Sequence, residues 1–253
     1  MKGLRRHPLR VIGRLVWFGG EVLLAMFDFL RHCAGRPQKS GLAGRAAWLQ
    51  RASRRCLRIF KLQPQVTGPI PGRGLLICNH LSYLDILVLA SLMPAVFVSK
   101  RDIKFWPLIG WLAGLAGTLF VDRERRTQVG RTNEEIETAL DGGVVVVLFP
   151  EGTSSDGRTV LPFKSSLLEP ATQQLHPLSL ALIQYQLEAG EVAEEVCYWG
   201  DMTFVPHLLN LLGQRSLRAS VRLAPFQPIL GDRKTLAGSL HAGMLQMKEA
   251  ATG

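Results

Sequence analysis

The sequence predicts one α/β domain, residues 63–253, preceded by a basic pair of N-terminal helices, residues 1–62. Two apolar runs carry the prediction of a sheet. Residues 75–78 follow a Gly- and Pro-rich segment, and residues 144–149 are continuously apolar and β-branched, as in strands covered on both faces. A chain of 253 residues is long enough to bury such a core without disulfides or metals.

The charge is concentrated at the N-terminus. Residues 1–61 hold 14 basic and 2 acidic residues, a net charge of +12, whereas the remainder holds 16 basic and 18 acidic residues, a net charge of −2. A polyanionic partner surface is therefore expected. Nucleic acid and anionic lipid both suit a basic segment, but the apolar residues between these charges favour lipid and argue against nucleic acid.

Two stretches would make this contact. Residues 15–30 are too short for a membrane span and carry two carboxylates, which is typical of an interfacial or shallowly inserted helix. Residues 45–61 are amphipathic and basic, and they either contact the membrane or pack on the protein's own core. The four cysteines show no metal-ligand spacing, so no metal is expected.

The run Leu75–Cys78 ends at Asn79-His80, and a helix is predicted to begin near Ser82. His80 would then lie at the carboxyl end of a strand, where open α/β sheets bind ligands. Asp85 could reach back from the first helical turns to one imidazole nitrogen and leave the other free to accept a proton. Because no Gly-x-Ser-x-Gly motif occurs, the nucleophile is expected to be a substrate hydroxyl.

His80, four intervening residues and Asp85 resemble the first sequence block of the glycerolipid acyltransferases, the family typified by 1-acyl-glycerol-3-phosphate acyltransferases. Three further blocks are similar to that family and occur in its order. They are Gly117-Thr-Leu-Phe-Val-Asp-Arg123, Phe149-Pro-Glu-Gly-Thr153 and His176-Pro-Leu-Ser-Leu-Ala-Leu182.

The resemblance implies a role for each matching residue. His80 and Asp85 would be catalytic, and Arg123 would contact an anionic acceptor headgroup, for which a guanidinium is well suited. The remaining predicted acceptor-binding residues are Glu151, Gly152, Thr153 and Lys164.

Two segments depart from the commonest family pattern. Ser154 stands where an arginine usually follows the threonine. Residues 198–202, Tyr-Trp-Gly-Asp-Met, followed by Pro206-His207, resemble a feature of bacterial members that acylate lyso-ornithine lipids. The acceptor is therefore open between 1-acyl-glycerol-3-phosphate and lyso-ornithine lipid.

The family resemblance implies a mixed sheet and an O-acyltransferase without a bound cofactor. The acyl donor would be acyl carrier protein or coenzyme A thioester, and the acceptor a lysolipid. The main prediction is 1-acyl-sn-glycerol-3-phosphate, giving phosphatidic acid in phospholipid biosynthesis, and the alternative is lyso-ornithine lipid. Remote alternatives are a non-catalytic membrane-binding protein and a lipid hydrolase. The expected location is the cytoplasmic face of a bacterial inner membrane, monotopic or peripheral.

Two further segments test the reading of the fold. Residues 105–120 carry no charge, which predicts either a buried core helix or a segment dipping into one leaflet. Pro107 and several glycines argue against a simple, straight helix. Residues 196–199 are predicted to form a strand.

Overall fold

The computed structural model describes residues 7–34, 38–121, 126–172, 176–227 and 231–252. It contains one seven-stranded sheet in the order β1-β7-β6-β2-β5-β3-β4. All neighbouring strands are parallel except β6 and β7, which makes the sheet mixed, as the resemblance implied. The strands are β1 Gln65–Thr67, β2 Gly74–Cys78, β3 Ala95–Lys100, β4 Leu119–Val121, β5 Val145–Leu148, β6 Leu178–Leu187 and β7 Leu217–Pro225.

Helices cover both faces of this sheet. They are α1 Pro8–His32, α2 Gln38–Ile59, α3 Leu84–Leu92, α4 Ile109–Leu115, α5 Arg126–Asp141, α6 Glu169–Thr172, α7 Val192–Glu195, α8 Phe204–Gly213 and α9 Arg233–Thr252. Short 3₁₀ turns occur at Arg101–Phe105 and Ser165–Leu167.

The central strands β2 and β5 are buried along their whole length. Alternate residues of each strand point to opposite faces, which divides the core into two clusters. One face packs against α3, α8 and the end of α2, and the other against α5 and α9. This burial on both sides explains why β2 and β5 are continuously apolar in the sequence.

The N-terminal helices pack on the domain, and α1 does so through one side only. Val11 of α1 and Leu57 of α2 lie in the main core, and buried Arg14 donates to the carbonyls of Leu212 and Gln214, at 2.9 and 2.6 Å. The opposite side of α1 exposes large apolar side chains, which are Leu9, Ile12, Val16, Leu23, Phe27 and Leu30. The helix therefore has a buried face with paired charges and an outward apolar face.

Within the described ranges, no helix has both the length and the apolarity needed to cross a membrane.

The structure corrects two predictions. The core-helix alternative for residues 105–120 is wrong, because Leu108 has a positive φ of 63° and the segment divides into α4 and β4; the leaflet-dipping alternative stays a prediction. Residues 196–199 form no strand. Val196 and Cys197 are fully buried, but they follow α7 and lie against the loop after β2, where the Tyr198 amide donates to the Leu81 carbonyl (2.8 Å). The apolar composition of these residues indicated that they are buried, but it did not indicate that they pair with a strand.

Candidate active site

The site forms where two parallel neighbours, β2 and β5, end side by side. Ile77 pairs with Leu148 in the register of the two strands, so the loops that follow emerge at the same edge of the sheet. The loop after β2 carries His80, and the loop after β5 carries Glu151. Sequence positions 71 residues apart are thereby brought into contact, with the His80 amide donating to Glu151 Oε1 at 2.8 Å.

Asp85 orients the imidazole as the spacing predicted. It lies in the first turn of α3 and is completely buried, whereas the His80 side chain keeps 21% of its surface exposed. His80 Nδ1 donates to Asp85 Oδ2 at 2.8 Å, and the same oxygen accepts the amides of Leu81 at 2.7 Å and Ser82 at 2.9 Å. No hydrogen bond to His80 Nε2 is formed within the described part of the chain, so this nitrogen can accept a proton.

The His80 ring is also held by stacking. It lies over the Phe149 ring with centroids 4.1 Å apart and planes inclined by 20°. Phe149 belongs to the predicted Phe149–Thr153 block. One face of the imidazole is thus covered, and its rotation is limited by contacts from both strand ends.

Tyr185 completes the arrangement, although the sequence analysis did not select it. Its hydroxyl donates to the second oxygen of Asp85, Oδ1, at 2.7 Å. Burial, followed by the Asp85 charge, raises the pKa of Tyr185 well above its ordinary value, so the hydroxyl stays protonated and remains a donor. Tyr185 lies inside the apolar strand β6, where no local pattern marks a tyrosine that reaches a carboxylate 100 residues away.

Glu151 holds the loops and does not face an open site. Only 2% of its surface is exposed, and its second oxygen accepts the Leu161 amide at 2.8 Å. Burial raises the pKa of Glu151, an effect that these two backbone donors oppose. Since both oxygens are occupied by main-chain amides, Glu151 positions the two loops, and its predicted part in binding the acceptor stays a prediction.

Asn79 sets the point at which the chain leaves the sheet. Its side-chain amide donates to the Ile183 carbonyl at 3.0 Å, and its side-chain oxygen accepts the Ile183 amide at 2.7 Å. The side chain therefore continues the pairing with β6 after the main chain of β2 has turned away, which places His80 above the strand end.

The other predicted acceptor residues surround this centre less closely. Gly152 has φ +75°, a conformation that favours glycine. Thr153 and Lys164 are exposed, and the Lys164 amide donates to the Pro150 carbonyl at 2.8 Å, which keeps that residue beside the loop after β5. Arg123 lies outside the described residues, so its predicted role stays a prediction.

Comparison with known proteins identifies the family. The model of the family described as "Acyltransferase" matches residues 63–183. A lyso-ornithine lipid O-acyltransferase of Rhodobacter capsulatus is 32% identical over 92% of this chain and 89% of that relative. The chain belongs to this acyltransferase family. A second lyso-ornithine lipid O-acyltransferase, from Rhizobium meliloti, is 37% identical over 69% of the chain and 65% of that protein.

Other relatives of the acyltransferase carry a different name. A 1-acyl-sn-glycerol-3-phosphate acyltransferase of Neisseria gonorrhoeae is 33% identical over 60% of this chain and 59% of that protein. Among solved structures, the 1-acyl-sn-glycerophosphate acyltransferase PlsC of Thermotoga maritima superposes with a TM-score of 0.60 at 18% identity, covering 95% of this chain and 98% of that one. This likeness confirms the α/β fold.

The two segments that depart from the commonest pattern are in contact in the acyltransferase. The Ser154 hydroxyl donates to the Tyr198 carbonyl. The Tyr198 amide in turn donates to the Leu81 carbonyl, and the Ser155 amide donates to the His80 carbonyl at 3.0 Å. The consecutive carbonyls of His80 and Leu81, in the candidate catalytic turn of residues 79–82, are thus fixed by the loop after β5 and by Tyr198.

A cavity of about 230 Å³ adjoins this turn, with both neighbours of His80, Asn79 and Leu81, in its wall. Asp156 and Lys248 line it as well, so the wall carries both signs of charge. Burial lowers the pKa of Lys248, and its ammonium group donates to the Gly157 carbonyl at 2.6 Å. Among the residues that the structure describes, no group of three or more His, Cys, Asp or Glu is placed to hold a metal ion.

Proposed function

We propose that the enzyme transfers a fatty acyl group from an acyl thioester to the free hydroxyl of a lysolipid, with His80 as the general base. The observation that carries the proposal is the His80–Asp85 pair, in which Nδ1 is bound to a buried carboxylate and Nε2 remains available. An imidazole held in this way can remove a proton from a hydroxyl within hydrogen-bond reach.

The reaction needs no acyl-enzyme intermediate. The acceptor oxygen attacks the thioester carbonyl carbon while its proton moves to His80 Nε2, and a C–O bond forms. Collapse of the tetrahedral intermediate breaks the C–S bond, and the proton on Nε2 passes to the departing thiolate. Asp85 stabilises the imidazolium between these steps, and Tyr185 keeps the Asp85 carboxylate in the required orientation.

Lyso-ornithine lipid is the acceptor that we propose. The Rhodobacter relative with this activity in its name aligns over 92% of the chain, and the contact between Ser154 and Tyr198 joins the two departures from the commoner pattern beside the catalytic turn. The mixed charge of the adjoining cavity also favours this lipid, because an ornithine headgroup carries both a carboxylate and an ammonium.

The second candidate acceptor is 1-acyl-sn-glycerol-3-phosphate. The Neisseria relative named for that substrate is 33% identical, and exposed Lys164 beside the loop after β5 offers a cation for a phosphate. The donor is proposed to be acyl carrier protein or coenzyme A thioester in either case, with no bound cofactor.

The same proposal places the enzyme on the cytoplasmic face of the bacterial inner membrane. The outward apolar face of α1 would lie in the acyl–headgroup boundary of one leaflet. Exposed basic residues of the N-terminal segment, such as Arg31 and Arg58, would attract an anionic surface, each by up to about 1 kcal/mol.

A competition assay tests the acceptor. Labelled acyl carrier protein thioester is supplied with an equimolar mixture of lyso-ornithine lipid and 1-acyl-sn-glycerol-3-phosphate, and the labelled products are separated. Label in ornithine lipid is expected, and label in phosphatidic acid would support the second candidate. Free labelled fatty acid would indicate a hydrolase. The assay is repeated with labelled acyl-coenzyme A, and only if both thioesters stay intact would a membrane-binding role remain.

A further inference from the structure

Residues 105–111 expose three large apolar side chains close to the candidate site. Phe105 is 71% exposed, Leu108 44% and Trp111 53%. These residues, which we call the apolar prong, run from the last residue of the 3₁₀ turn after β3 into the first turn of α4. Large apolar side chains grouped in this way on a surface mark a place where another apolar phase binds.

The prong has a defined shape. Leu108 has φ +63° and ψ −54°, the geometry of a γ-turn, in which the Ile109 amide donates to the Pro107 carbonyl at 2.7 Å; this conformation costs free energy in a residue other than glycine. At Gly110, a Cβ atom would lie 2.2 Å from the Lys104 carbonyl oxygen, so only glycine permits this close approach. The exposed side chains are therefore presented by a tightly folded turn.

One end of the prong packs against the N-terminal helices. Leu112, Leu115 and Ala116, which follow it, share a hydrophobic cluster with Phe29 of α1 and Trp48 of α2. The Arg45 guanidinium also donates to the Gly114 carbonyl at 3.2 Å. Since one cluster joins the three helices, the prong and α1 form one structural unit.

The other end of the prong packs towards the catalytic turn. Trp106 contacts the rings of Tyr198 and Phe204, with centroids 6.4 and 5.8 Å apart. Tyr83, which follows the turn, contacts the same two rings at 5.7 and 5.2 Å. A continuous aromatic cluster therefore connects the prong with the residues that hold His80.

We propose that the apolar prong is a second membrane-contact element, which inserts into an anionic phospholipid leaflet and brings the mouth of the site to the lysolipid. Exposed Lys100 and Lys104 flank it and suit an anionic headgroup layer. Continuity with α1 through the shared cluster favours a bilayer over a protein partner. This inference rests on the proposed function, because a lysolipid acceptor lies in that leaflet.

The test compares two substitutions of exposed apolar residues. Phe105→Glu combined with Trp111→Glu places charges on the prong, and Ile70→Glu is the matched control. Ile70 is 48% exposed and precedes β2, so it lies at the opposite edge of the sheet from His80. Each full-length protein is assayed with lysolipid in phosphatidylglycerol vesicles and with a short-chain, water-soluble lysolipid.

We expect the prong variant to lose about tenfold or more of its activity on vesicles and to stay within about twofold of wild type on the soluble acceptor. The Ile70 variant should match wild type in both assays. Equal activity of the prong variant and wild type on vesicles would overturn the inference and leave the proposed function intact. Absence of transfer by wild type to either acceptor would instead contradict the proposed function.

A conservative variant keeps the test valid if the charged one fails to fold. Trp111→Phe retains an apolar side chain, and the difference between its fluorescence and that of wild type isolates the Trp111 signal. Quenching of this signal by vesicles with brominated acyl chains is expected. Absence of quenching would overturn the inference. A charged variant that binds vesicles normally but no longer binds acyl carrier protein would also overturn it, and would indicate that the prong is a docking surface for the donor.

Discussion

The catalytic turn and the outward face of α1 are built in opposite ways. Around His80, the buried carboxylate is fully paired: Asp85 accepts four hydrogen bonds, from Nδ1, two amides and the Tyr185 hydroxyl. The face of α1 offers exposed apolar side chains and pairs its charges on the side turned to the core. Precise geometry serves the chemistry, whereas apolar area suits contact with a fluid lipid phase.

Removing the base is expected to have the largest effect on turnover. His80→Ala is expected to lower turnover about 10³-fold, because general base catalysis is lost, while the fold persists because the side chain is partly exposed. Steady-state transfer and thermal unfolding measure the two effects. His176→Ala, at the amino end of β6, is the control, and turnover of His80→Ala within tenfold of wild type would refute the assignment.

Charging the outward face of α1 should affect binding and spare chemistry. Leu23→Glu with Phe27→Glu is expected to weaken sedimentation with anionic vesicles about tenfold or more, since two apolar side chains leave the interface. Turnover on a water-soluble lysolipid should change by less than about twofold, because these residues are far from the reacting groups in the fold. Unchanged sedimentation would remove α1 from the membrane contact.

A smaller effect on turnover is expected when the Tyr185 hydroxyl is removed. Tyr185→Phe leaves Asp85 Oδ1 without this donor, so turnover should fall about tenfold and stability by about 1–3 kcal/mol. The carboxylate that has lost a donor stabilises the imidazolium more strongly, and the acidic limb of the rate profile should move to higher pH. Tyr83→Phe, which loses a hydroxyl bonded to His207 at 3.0 Å, should leave that limb in place. An unmoved limb in Tyr185→Phe would reduce Tyr185 to a packing residue.

The smallest effect concerns Glu151 and pH. Because burial raises its pKa, the native state binds this proton more tightly than the unfolded state, and the resulting stability is present below about pH 4 and lost as pH rises through the raised value. Glu151→Gln lacks this titration. In urea unfolding, the difference in free energy of unfolding between wild type and Glu151→Gln should therefore decrease as pH rises. A widening difference would show that the donors of His80 and Leu161 outweigh burial.

Local patterns predicted the parts of the fold and site that depend on local chemistry. The apolar runs of β2 and β5 and the spacing from His80 to Asp85 were sufficient, because burial on both faces and a turn before a helix leave a mark in consecutive residues. Tyr185 and the occupied oxygens of Glu151 depend on strand order and on contacts across about 100 and 71 positions, which no local pattern encodes. Residues 196–199 show the same limit, since burial alone does not distinguish a strand from a loop.

Asn79 restricts which sequences can preserve this site. Its side chain acts as a peptide group of fixed length, with a donor and an acceptor both used by Ile183. Aspartate would face the Ile183 carbonyl with a second acceptor, leucine would offer neither group, and glutamine would displace the pair by one methylene. Preserving the position of His80 therefore requires an amide side chain one position earlier, because that side chain completes the strand pairing from which the turn departs.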